Sequence, residues 1–266
     1  MIDLNRIYNE DCLEGMKRIP DNSVDMILCD LPYGTTACKW DNVIPFEPLW
    51  EQYERVIKDN GAIVLTASQP FTSALVMSNP KLYHHCWVWD KKFAGNYAQA
   101  KRQPQRIHED ILVFGHIVNY YPQMVQRDKP IKKGKNKGAE IYGGISGLGR
   151  SDYEGKVYDK KYPETILHFS SREEPRGFHP TQKPVALFEY LIRTYTNEGE
   201  TVLDNCAGSF TTAVACDNTN RNWICIEKEE KYCNIGLTRI NDNRERLSLP
   251  LLNSINSRGD LIGEDD

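Results

Sequence analysis

Six short apolar runs constrain this chain more than any other feature. They are VDMILC (24–29), AIVLT (62–66), HCWVW (85–89), ILVF (111–114), TVLD (201–204) and WICIE (223–227). Helical patterns lie between them, and that alternation points to an α/β fold with a mostly parallel sheet. The clearest helices are expected over 48–59, 184–196, 211–218 and 229–243. In the first of these, Leu49, Trp50, Tyr53, Val56 and Ile57 share one face, and Gly61 is expected just past its end. In the second, Pro184 occupies the first turn. At 266 residues and 40% apolar content, the chain can build a core of this kind.

One stretch breaks the rhythm. Residues 134–155 hold 7 of the 18 glycines and show no strong period. Residues 116–165 therefore read as an insertion rather than an independent domain, because they are too poor in apolar side chains for a core of their own. Residues 248–266 read as a frayed tail. No apolar run approaches the roughly 18 residues of a spanning helix, and MIDLNRIYNED at the start is polar and acidic, so a cytoplasmic protein is expected. The 8 cysteines form no CxxC pair, and several sit in apolar runs where Cys acts as a small hydrophobe, so neither a metal site nor a disulfide framework is expected.

The net charge of −4 conceals strong local asymmetry. Residues 91–106 (KKFAGNYAQAKRQPQR) carry five bases and no acid, and residues 127–138 (RDKPIKKGKNKG) carry six bases and one acid. Either run alone reads as a solvated loop. Two together, interspersed with aromatics and glycines, tilt toward a phosphate-binding face.

Four motifs carry chemistry. In VDMILCDLPYG (24–34) an apolar strand delivers Asp30 to its carboxyl end, the edge at which open α/β sheets bind ligands. Pro32 biases Leu31 toward an extended conformation that aims its carbonyl beside the Asp30 carboxylate. Two adjacent acceptors next to an aromatic face suit a planar group bearing an NH₂, although an ordinary strand-end turn would look the same. In ETVLDNCAGSFTTAVAC (200–216) small residues bring a ligand near backbone N–H groups at a helix start, and Glu227 follows Gly208 by 19 residues, a spacing that reaches ribose hydroxyls. There is no G-x-G-x-x-G, which disfavours a dinucleotide and with it a nicotinamide dehydrogenase. HPTQKP (179–184) offers a cation, an amide and a hydroxyl before a helix, suited to a carboxylate or equally to a plain helix start. In NEDC (9–12), Asp11 and Cys12 suit an adenine edge, or Asp11 simply opens a helix.

Taken together and in this order, NEDC, DLPYG, HPTQKP and LDNCAGSFTTA resemble the β-group of S-adenosylmethionine-dependent DNA amino-methyltransferases, over roughly residues 5–245. HEDILVF (108–114) is similar to a further segment of that family. The resemblance implies a Rossmann-like methyltransferase fold with a mostly parallel seven-stranded sheet, helices on both faces and a circularly permuted motif order. It divides the core into a catalytic half (1–115) and a donor-binding half (166–247), with target recognition in 116–165.

The same resemblance implies roles for individual residues. Asp30, Leu31, Pro32 and Tyr33 form the catalytic motif, with Asp30 and the Leu31 carbonyl on the target amine and Tyr33 stacked on the flipped base. Asp11 and Cys12 hold the adenine of S-adenosylmethionine, and Glu227 its ribose. Thr181, Gln182 and Lys183 hold its methionine end, while Asp30, Asp204, Ala207, Gly208, Ser209 and Thr211 pack around it. Two departures stand out: Leu31 replaces a proline, and Phe210 replaces a glycine, so that it either crowds the donor or points into the core.

The expected partner is double-stranded DNA, held by Lys91, Lys92, Lys101, Arg102 and Arg106 and by Lys132, Lys133, Lys135 and Lys137. A homodimer and a cognate restriction endonuclease are left open, and no membrane is expected. Adenine N6 is favoured by the Asp of DLPY. N4-cytosine methylation, an RNA or protein-glutamine methyltransferase, and a non-catalytic DNA-binding module remain the alternatives. A carbon-5 cytosine enzyme would need a Pro-Cys nucleophile, which is absent from the sequence.

Overall fold

The computed structural model describes residues 2–35, 38, 41–132, 157–171 and 182–257. In chain order the first half contains β1 (Arg6–Asn9), α1 (Cys12–Met16), β2 (Val24–Cys29), α2 (Phe46–Val56), β3 (Ile57–Ala67), α3 (Phe71–Ser78), β4 (Tyr83–Asp90) and β5 (His108–Phe114). The remainder contains β6 (Val125–Lys132), β7 (Val157–Lys161), β8 (Ile166–His168), α4 (Val185–Tyr195), β9 (Thr201–Asp204), α5 (Thr211–Asn218), β10 (Asn222–Glu227), α6 (Glu230–Leu247) and β11 (Asn256–Ser257). The chain forms two compact units, residues 1–121 with 165–266, and residues 122–164. In the second unit, β6 pairs antiparallel with β7, with Val125 opposite Lys161 and Lys132 opposite Val157.

The large unit is built on one sheet of nine strands in the order β11-β1-β10-β9-β2-β3-β5-β4-β8. Seven strands were expected; the two extra ones, β11 and β8, are short edge strands of two and three residues. Only β5 runs antiparallel, between β3 and β4. The alternation of side chains along each strand feeds two cores, one on each face. In β10, Trp223 and Cys225 join a cluster with Leu187 and Phe188 of α4 and Ala213 of α5. Ile224 and Ile226 join the other, with Met16 of α1, Trp50 and Tyr53 of α2 and Leu75 of α3. Helices therefore cover both faces.

Three local expectations change. The first long helix stops at Val56, and Gly61 lies inside β3 instead of capping it, because the chain passes directly from helix to strand. A Cβ at Gly61 would stand 2.9 Å from the Asp25 carbonyl oxygen on β2. Residues 248–257 are not a frayed tail: the Leu252 backbone N–H donates to Asn241, the Leu252 carbonyl accepts from the same side chain, and β11 adds to β1. The third difference is α3, a short helix that was not among those expected. Among the described residues no helix is long and apolar enough to cross a membrane.

Phe210 is fully buried, with its ring against Gly236 of α6. A Cβ at position 236 would lie 2.1 Å from that ring. Gly236→Ala should therefore destabilise the fold by about 1–3 kcal/mol through overpacking. Urea unfolding of the variant checks this, and an unchanged midpoint would show that the ring has somewhere else to go.

Candidate active site

Strands β1, β10, β9 and β2 run parallel, so their carboxyl ends share one edge of the sheet. A cavity of about 1300 Å³ opens at that edge, lined by Asp11, Cys12, Asp30, Leu31, Pro32, Tyr33, Gln182, Lys183, Asp204, Ala207, Gly208, Ser209, Thr211 and Glu227. Four separated sequence motifs thus meet around one space. Thr181 lies outside the described residues. Single-ligand pockets span roughly 300–1,000 Å³, so this cavity has room for a nucleoside-sized donor and a second group beside it.

Asp30 is held from both sides. Its Oδ1 accepts a hydrogen bond from the Tyr33 hydroxyl at 2.8 Å and another from the Thr66 hydroxyl. Its Oδ2 faces the Lys183 ammonium at 2.5 Å. The Tyr33 ring stacks on Phe71 at 5.1 Å between centroids, and the Lys183 ammonium lies over the ring, 5.9 Å from its centre. Burial, reinforced by the charges of Asp30 and Glu109, pushes the Tyr33 phenol well above its ordinary value, so it remains a donor. The loop after the motif is pinned by Asp41, whose carboxylate accepts from the backbone N–H groups of Gly34 and Thr35 at 2.8 and 2.9 Å.

Lys183, expected at the methionine end of the donor, lines the cavity beside Gln182. It is only 7% exposed, and its ammonium is engaged by two carboxylates of the chain, Asp30 and, at 3.5 Å, Glu109. Burial alone would lower its pKa, but those two charges outweigh burial and raise it. Glu109 shows the reverse: burial would raise its carboxyl, and Lys183 and Lys91 bring it below the usual range. Lys91, expected at the rim of the cleft, lines the cavity and joins the same network, 2.9 Å from Glu109 Oε1.

The donor half is tied together by Glu227 and Asp204. Glu227 accepts from the Gly208 N–H through Oε2 and from the Glu229 N–H through Oε1, both at 2.8 Å. Each oxygen keeps a second lone pair for a ribose hydroxyl. Burial raises the Glu227 pKa. Asp204 accepts from the Thr212 hydroxyl at 2.5 Å and from the Cys206 N–H at 3.1 Å, and burial pushes it up to about 7.

Asn205, buried in the same turn, accepts from the Tyr53 hydroxyl at 2.6 Å. Phe210, at the α5 N-cap with φ 60, points into the core and leaves the cavity clear. Asp11 caps α1 through Leu13 N–H at 3.0 Å, and a hydrogen bond from Cys206 lowers the Cys12 thiol. Gln182 Oε1 is buried without a hydrogen-bond partner among the described residues, an acceptor that suits the ammonium of an amino-acid ligand.

Lys92, Lys101, Arg102 and Arg106 are exposed in the segment following β4, off the cavity wall. Arg106 donates to the Ser68 hydroxyl at 2.9 Å. Lys132 is exposed at the end of β6 in the smaller unit, while Lys133, Lys135 and Lys137 lie outside the described residues. Sequence reasoning missed Thr66, Asp41, Glu109 and Arg239. The Arg239 guanidinium, buried on α6, donates to the Ser209 carbonyl at 2.7 Å and to the Thr211 hydroxyl at 3.0 Å, fixing the donor loop.

A family model described as DNA methylase, covering N6 and N4 enzymes, matches residues 24–238. The chain belongs to this family. It is 25% identical to the Type II methyltransferase M.HpaI of Haemophilus parainfluenzae, over 88% of this chain and 74% of that protein. It is 29% identical to the DNA adenine methyltransferase YhdJ of Escherichia coli (strain K12), over 88% of this chain and 82% of that protein. Among solved structures, an M1.HpyAVI–SAM complex is similar at a TM-score of 0.58 and 25% identity, covering 89% of this chain and 98% of that one. The fold is that of a Rossmann-like DNA methyltransferase, and the M1.HpyAVI structure is a complex with SAM.

The raised Asp204 pKa makes stability depend on pH. Its ordinary value is 3.8 and its folded value about 7, so the folded chain retains the proton through that window. This group's contribution to stability therefore falls as pH rises from 4 to 7, by at most about 1.4 kcal/mol per unit. Asp204→Asn should remove that slope, so the variant gains on the parent as pH rises. Urea unfolding across the window checks it; a pH-independent difference would contradict the assignment.

Proposed function

We propose that the chain transfers a methyl group to the exocyclic N6 amine of adenine in double-stranded DNA, with the target base flipped into the cavity. The reading is carried by one observation: the Asp30 carboxylate stands at the end of β2 in the cavity shared with Glu227 and Gln182. Membership of the amino-methyltransferase family and the similarity to a protein named as an adenine methyltransferase support it.

Bound S-adenosylmethionine supplies an electrophilic methyl group on a sulfonium. Glu227 holds its ribose, Asp11 and Cys12 its adenine, and Gln182 its methionine ammonium, while Asp204, Ala207, Gly208, Ser209 and Thr211 shape the floor beneath it. The chain's remaining task concerns the amine. Adenine's amino lone pair is delocalised into the ring, which makes it a weak nucleophile. Hydrogen bonds from its two N–H groups to Asp30 and the Leu31 carbonyl favour a pyramidal nitrogen and localise that pair. Pro32 keeps the Leu31 carbonyl extended, and Tyr33 packs against the base. Positive charge developing on the nitrogen lies against the Asp30 carboxylate, a preorganised stabilisation that costs no solvent reorganisation. Flipping costs roughly a few kcal/mol, which phosphate contacts from Lys92, Lys101, Arg102 and Arg106 offset. Lys132, Lys133, Lys135 and Lys137 in the smaller unit influence which site is chosen.

The decisive test is Asp30→Ala. Turnover should fall by about 10²–10³-fold or more, with DNA binding retained. Nucleoside mass spectrometry of the product of the unaltered chain should give N6-methyladenine; N4-methylcytosine would reverse the base assignment, and 5-methylcytosine or a fully active variant would overturn the mechanism.

A second expectation concerns DNA affinity. Replacing Lys92, Lys101, Arg102 and Arg106 with Ala should reduce the salt slope of binding by about 0.9 for each phosphate contact removed. Donor affinity should not change. A slope identical to the parent's would show that this segment is a solvated loop.

A further inference from the structure

Both Asp30 oxygens are engaged by side chains of the chain itself, yet the reaction proposed above needs one of them for the target amine. Oδ1 accepts from Tyr33 and from Thr66, side chains anchored within the sheet and its loop. Oδ2 is held by the Lys183 ammonium at 2.5 Å. Lys183 has a second acceptor within reach. Glu109 Oε2 lies 3.5 Å away, too far for a good hydrogen bond, and it is buried without one. Glu109 Oε1 is already paired with Lys91. Glu109 arrives from an unexpected direction: β5 runs antiparallel, so its amino end, not its carboxyl end, reaches the cavity edge.

We propose that Glu109 is a positioning residue that receives Lys183: the ammonium pairs with Asp30 Oδ2 until the target amine arrives and moves onto Glu109 Oε2 when the amine takes its place. This deepens the reading of the site as an amine methyltransferase and rests on it. Three physical arguments converge. The shift needed to turn 3.5 Å into a hydrogen bond is under about 1 Å, within the reach of a lysine stem. Asp30, Glu109, Lys91 and Lys183 form two cations and two anions, so the cluster as a whole stays neutral through the move, and Asp30, which gives up the ammonium, keeps the Tyr33 and Thr66 hydroxyls and gains an N–H of the amine. And an ammonium on Oδ2 would weaken the carboxylate as an acceptor and repel the positive charge developing on the amine nitrogen. Seated on Glu109 it does neither. The raised pKa of Lys183 agrees with transfer of a whole ammonium between acceptors rather than of a proton.

Glu109→Gln removes the receiving charge and leaves Lys183 on Asp30. At saturating donor and DNA, the single-turnover rate of methyl transfer should fall about tenfold or more, while donor affinity by calorimetry stays within about twofold. The same substitution made in a Lys183→Met chain should change the rate less than about twofold, because no ammonium remains to be received. A merely structural role for Glu109 would show as the same loss in both backgrounds. Glu109→Asp keeps the charge but withdraws it by one methylene, so it preserves neutrality for folding; an intermediate rate loss is expected. Full activity in Glu109→Gln or Glu109→Asp, or equal losses with and without Lys183, would overturn the proposal while the methyltransferase reading stands. A parent chain that methylates no DNA amine would overturn both.

Discussion

The site depends on gathering four carboxylates, Asp30, Asp204, Glu227 and Glu109, along one edge of a sheet and covering them. Unpaired, such groups would cost several kcal/mol each, so the loops beyond the strands are organised as their partners. Asp30 has Lys183, Tyr33 and Thr66. Asp204 has the Thr212 hydroxyl and the Cys206 N–H, Glu227 has two backbone N–H groups, and Glu109 has Lys91 and Lys183. The differences among these partners set different chemistry. Asp30 is met by an ammonium, whereas Asp204, met by the neutral donors Thr212 and Cys206 N–H, is pushed up to about 7 by burial.

The unusual donor loop follows from packing rather than from loss of function. Phe210, the residue most at odds with a ligand site, sits in the left-handed region and turns its ring away into the space that Gly236 leaves on α6. Asn205 is matched by Tyr53 from α2, across the sheet from α5. Arg239 crosses from α6 to the Ser209 carbonyl. Residues of two helices, α2 and α6, therefore shape a turn whose local sequence alone suggested a crowded site.

The sequence made the strands and the meeting of four motifs legible because strand ends in a parallel sheet share an edge, and the apolar runs mark those ends. Asp30, Asp204 and Glu227 were found by that rule. Glu109 was not, since the rule holds only for parallel strands and nothing in HEDILVF alone reveals that β5 runs the other way. Thr66, Asp41 and Arg239 act through distant partners, so no local pattern announces them. Lys183 was read as a ligand for the donor because HPTQKP by itself places a cation at a helix start; only the tertiary fold shows two carboxylates converging on that cation. The tail was misread for a similar reason: its anchor, Asn241, lies on α6 and the pairing is with β1, far away in the chain.

The antiparallel strand also explains how one edge can serve two substrates. On the side of β9, β10 and β1, strand ends present Asp204, Glu227 and Asp11, all groups suited to a nucleoside. On the side of β3, β5 and β4, the edge presents Thr66, Glu109 and the loop after Asp90, where the bases of residues 92–106 stand in solvent. Asp30 ends β2 at the centre, with β9 on one side and β3 on the other. Asp30 therefore stands between the two groups of polar residues, on the strand where the two halves of the edge meet.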